Sequence, residues 1–114
     1  MAEPIVSEII CSVLDWTIRQ PIAITLPKDS KILCVMYHDN YDHLYCISSL
    51  NVKKEIRYFI VKQPNQRLES IHDMIYHYIG STMDEDSETW HIFELISTTK
   101  QETPDRKSRL RNQH

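Results

Sequence analysis

A chain of 114 residues is long enough for one packed domain and short for two. Its hydrophobic share of 41% and charged share of 25% are those of a globular protein, and its net charge is −3. The single glycine, Gly80, excludes phosphate-binding loops and dinucleotide folds, which need several glycines where backbone meets ligand.

No segment reaches the roughly 18 consecutive apolar residues of a membrane span. "MAEPIVSEII" has no basic region ahead of an apolar stretch, so no secretory signal is expected. Cys11, Cys34 and Cys46 are an odd number without metal-ligand spacing, and all three lie in apolar stretches. They are expected to behave as small buried hydrophobes in a reducing cytoplasm, with Cys34 and Cys46 pointing into the sheet. Charge is uneven along the chain. Residues 1–96 hold 8 Lys/Arg against 14 Asp/Glu, whereas residues 97–114 hold 5 against 2. An acidic body is a poor match for a nucleic-acid backbone. The expected organisation is one β-rich domain over residues 1–97 and a basic, disordered tail over 98–114.

In chain order, "SEIICSVLDWTIRQ" is the first candidate strand. Ile5, Ile9 and Val13 have helical spacing, but Ile10, Ser12, Leu14, Trp16 and Ile18 share a strand face, and the β-branched content favours a strand. "IAITL" alternates, with Ile22, Ile24 and Leu26 on one face, and Pro27 ends it. "KILCVMY" is apolar at both parities, which predicts a central strand covered on both faces. "HDNYD" is a turn, "HLYCISSL" the return strand, and "EIRYFIV" the next, with Arg57, Phe59 and Val61 opposite Ile56, Tyr58 and Ile60. Leu68, Ile71, Ile75 and Tyr78 recur at helical spacing, which predicts a short helix over Leu68–Ile75. An acidic turn, "MDEDSE", leads to the last strand, "TWHIFELIS", whose core face is expected to hold Phe93 and Leu95. The fold class is therefore mainly β with a minor α part (α+β). A compact antiparallel sheet, small barrel or sandwich of about six or seven strands with one short helix is expected.

Candidate sites are few. His38, Asp39 and His43 place imidazole and carboxylate ligands around one turn, the alternative of a metal-dependent enzyme. No second ligand pair accompanies them, and no nucleophile motif is present, so neither a catalytic residue nor a resident metal or cofactor is expected. The aromatic residues point instead to binding. Trp90 shares its strand face with Glu94, which predicts partial exposure, and Tyr37, Tyr58 and His91 lie on or beside strands. Arg57 is the cation best placed to meet a charged ligand that stacks on these rings.

"ITLPKDSKIL", the strand pair after it, "EIRYFIV" and "YIGST…WHIFEL" together resemble a family of small β-rich domains without an assigned activity, found mainly in bacteriophages and mobile elements. The resemblance spans roughly residues 13–96. It departs where "VKQPNQRL" replaces glycines expected before the helical stretch. It implies a compact β fold and a phage setting. The expected function is a non-enzymatic, phage-type binding protein acting in the host cytoplasm. It would sequester a nucleotide-derived immune signal or mask a host immune protein. A third expectation is a nucleic-acid accessory role limited to weak contacts through the basic tail. No membrane contact is expected, and the apolar first strand predicts a homodimer or a higher symmetric oligomer through sheet edges.

Overall fold

The computed structural model describes residues 6–17 and 19–99. Expectations attached to Ile5, Ile18 and the basic stretch 100–114 lie outside the described residues. Seven strands form in chain order: β1 (Ser7–Leu14), β2 (Ile22–Pro27), β3 (Lys31–His38), β4 (Tyr41–Ser49), β5 (Lys54–Lys62), β6 (Met74–Met83) and β7 (Thr89–Ser97). They make two antiparallel sheets, β1-β4-β3 and β2-β5-β7-β6, packed as a sandwich. The mainly β expectation holds, and no helix of the α class forms among the described residues.

Register decides which side chains face the core. In the three-stranded sheet Leu44 and Cys46 of β4 face inward beside Ser12, Ile10, Val35 and Ile32. In the four-stranded sheet Phe59 and Val61 of β5 pair with Glu94 and Ile92 of β7, and Ile22 flanks Phe59 from β2. Leu14, Leu26, Leu44, Phe59 and Ile92 are fully buried where the layers meet. With one glycine available, the turns rely on Asp and Asn for left-handed backbone. Asp39 and Asn40, at φ 53° and 71°, close the β3–β4 hairpin.

Four expectations change. The stretch Leu68–Ile75 is not a helix: residues 68–73 are irregular, and Ile75 already belongs to β6. β5 and β6 flank β7 as parallel neighbours, so residues 63–73 must cross over β7, a connection that no hairpin can make. The hydroxyl of Tyr76, on the outer side of β6, donates to the Glu69 carbonyl and ties this crossover to the outer face. β3 is an edge strand rather than a central one, paired only with β4, and its apolar outer positions Leu33 and Met36 are left uncovered. Cys34 accordingly points outward and is exposed, as is Cys11, while Cys46 alone is buried. On β7 the inward parity is Trp90, Ile92 and Glu94, not Phe93 and Leu95, because the partly buried Arg57 of β5 supplies a partner for Glu94.

Candidate functional site

Three connections meet at one end of the sandwich. The turn after β1 brings Asp15 and Trp16, the β3–β4 hairpin brings Tyr37 and Asp42, and the acidic β6–β7 turn brings Asp84, Glu85 and Asp86 beside Trp90. They enclose a cavity of about 130 Å³. Trp16 and Trp90 form one wall, their rings stacked at 4.5 Å and 28°. The indole Nε1 of Trp90 donates to Asp84 Oδ2 at 3.0 Å. Backbone N–H groups of Asp86 and Glu88 donate to the other oxygen, Asp84 Oδ1, at 2.9 Å each. These bonds, the indole's first, hold the Asp84 carboxyl below its ordinary pKa. Tyr37 donates its hydroxyl to Glu85, which pushes the phenol pKa up to about 12 and keeps it a donor at neutral pH.

Asp42 is the unusual member. It occupies a core parity of β4 with Leu44, Cys46 and Ser48, and is only 2% exposed. Thr82 of β6 donates to its Oδ1 at 2.6 Å. No hydrogen bond reaches its Oδ2 from the described residues. Burial pushes its pKa up, the Thr82 bond opposes this, and nearby Asp84 adds to the rise. Five carboxylates line the cavity and no lysine or arginine does. Such a site has a strongly negative potential, concentrated by its low-dielectric walls.

The expected site residues do not converge. Tyr37 and Trp90 belong to this acidic cavity. Arg57 and Tyr58 lie at the other end of the sandwich, where cavities of about 610 and 370 Å³ both border Arg57. There Arg57 is already engaged. Its Nε and Nη2 donate to Glu94 at 2.6 and 2.8 Å, and its Nη1 donates to the Ser30 carbonyl at 2.5 Å. Glu94 raises the guanidinium's pKa further. His91 is on the outer face of β7, with its Nδ1 2.9 Å from the Tyr78 hydroxyl.

The His38, Asp39 and His43 set forms no chelate. His38 stacks on His43 at 3.7 Å, the Nε2 of His38 meets the Tyr45 hydroxyl at 2.7 Å, and the Nδ1 of His43 meets the Tyr41 carbonyl at 3.0 Å. Among the described residues no group of three or more His, Cys, Asp or Glu side chains is placed to hold a metal ion. The ligand-binding set expected from the sequence left out Asp15, Trp16, Asp42 and Asp84. Only Asp42 left a usable signal, a carboxylate at an apolar parity. The others are brought together by turns far apart in the chain.

Residues 14–103 match the family described as Domain of unknown function (DUF7352). The match covers well over half of the sequence, and the chain belongs to that family. No curated protein and no solved structure matches it.

Proposed function

We propose that this member of the family is a non-enzymatic binding protein whose acidic aromatic cavity receives a cationic group. The group is the ammonium or guanidinium of a lysine or arginine on a partner protein. The buried Asp42 carboxylate, with one oxygen lacking a donor, carries the proposal. A buried charge without a partner is costly, and a guanidinium or ammonium supplies both the opposite charge and the missing donor. The Trp16–Trp90 wall adds the negative ring faces that attract cations. The volume, about 130 Å³, is that of roughly four water molecules, which suits a side-chain head group and not a whole nucleotide.

In the phage or mobile-element setting that the family resemblance implies, the partner is a host defence or regulatory protein in the cytoplasm, masked at a basic side chain. Sequestration of a nucleotide has less support. The carboxylates beside Trp90 repel phosphate, and the charge of Arg57 is matched by Glu94.

The test is an NMR titration of the full chain with N-acetyl-arginine methylamide, tetramethylammonium and, separately, cyclic dinucleotides. Both cations are expected to shift the amides of residues 15–17, 37–42 and 84–90, and Asp42→Asn to abolish the shifts. No response to either cation, or a response of the same amides to the nucleotides instead, overturns the proposal.

A further inference from the structure

The two outer faces of the sandwich are finished differently. On the four-stranded sheet the crossover 63–73 passes over β7, and the outward residues Ile60 and Leu95 are 7% and 6% exposed. Nothing in the described chain covers the three-stranded sheet. Its outward positions include Ile9, Cys11 and Val13 on β1, Ile47 on β4, and Cys34 and Met36 on β3, around a more polar cluster of His38, His43 and Tyr45. The hydrophobic ones among these, leaving the cysteines aside, are 38–64% exposed. An antiparallel sheet with one solvated face places polar residues there. This one places apolar residues on both faces.

We infer that this uncovered face is where a second copy of the chain docks. Two observations select a copy over another partner. The first is charge: across the outward side chains of β1, β4 and β3 there is no carboxylate, the one lysine, Lys31, stands at a corner, and the two histidines, His38 and His43, stack on each other with His38 against Asp39 of the hairpin turn. A two-fold contact sets a patch against itself, so any strong charge at its centre would meet its own sign, and here none does. The acidic body, −6 over residues 1–96, would otherwise oppose self-association, and its carboxylates lie elsewhere. The second is area. With neighbours Leu33 and Tyr45, the patch exposes roughly 600 Å² on each copy, so a two-fold contact buries about 1,200 Å², the lower end of specific interfaces. The contact is face to face rather than edge to edge, and it does not depend on the cation site, which opens at the end of the sandwich.

The test is sedimentation equilibrium of the full chain in reductant over about 1–100 µM, a range in which mass action moves a modest dimer between its two states. A monomer–dimer equilibrium is expected. Met36→Lys and Ile9→Lys, at positions already half exposed, are expected to remain monomeric with the β-sheet circular dichroism retained. Ile56→Lys, equally exposed on the other sheet, is expected to dimerise as the parent does. Should the lysine variants fail to fold, thiol labelling of the unaltered chain decides. Iodoacetamide is expected to modify Cys11 and Cys34 about four- to sevenfold more slowly at the high concentration than at the low one, in step with dimer formation. A parent monomeric throughout, a dimer that survives Met36→Lys, or a labelling rate independent of concentration overturns the inference.

Discussion

At the scale of the residue, Asp42 and Arg57 illustrate opposite uses of a buried charge. The folded pKa of Asp42 lies above its unfolded value, so between the two the native state holds more protons than the unfolded chain. Stability therefore falls as pH rises through that window. Asp42→Asn is expected to raise the thermal midpoint at neutral pH, an advantage that shrinks toward the acid side and is followed by calorimetry across pH. The same variant loses cation binding, and in the parent cation affinity weakens as acid protonates Asp42. Asp84 has the reverse sign: its contribution is present above the ordinary carboxylate range and lost as pH falls through its lowered pKa. Arg57 is a partly buried group whose charge is matched by the buried Glu94, so Arg57→Ala is expected to destabilise by about 3–5 kcal/mol because Glu94 is left unpaired in the core. Urea unfolding measures this, and an unchanged midpoint would contradict the pairing.

At the scale of the element, the strands were legible and their surroundings were not. "IAITL" alternates as β2 does because only one of its faces meets the core. "KILCVMY" has the composition of a central strand yet lies at an edge. Apolar residues at both parities show that both faces are apolar, not that both are covered. The helical spacing of Leu68, Ile71, Ile75 and Tyr78 arose because it straddles the crossover and β6, two segments with different geometry. The candidate cavity was invisible because no local pattern records that three separate turns share one end of the sandwich. The β3–β4 hairpin turn, by contrast, follows from Asp39 and Asn40. Asn40→Val, which forces a β-branched side chain into left-handed backbone, is expected to cost about 1–2 kcal/mol in denaturant unfolding. Tyr76→Phe removes the tie to Glu69 and is expected to cost about 0.5–1.5 kcal/mol, with faster amide exchange confined to the crossover.

At the scale of the whole molecule, the chain closes its sheets by long-range pairing. β1 joins β4, β2 joins β5, and β5 joins β7, so three of the five pairings wait for intervening chain to be placed. Loop-closure entropy is spent before such contacts form, and refolding is expected on the millisecond-to-second scale of all-β domains. Stopped-flow dilution from urea measures it, and microsecond folding would contradict the pairing order.

The stacked indoles have a spectroscopic consequence. Trp16 and Trp90 are the only tryptophans in the sequence, so all indole emission originates from one wall of the cavity. Two chromophores held 4.5 Å apart couple their transitions and give a paired positive and negative band in the far-ultraviolet circular dichroism. Occupancy of the cavity is therefore readable without a label, from the protein's own light.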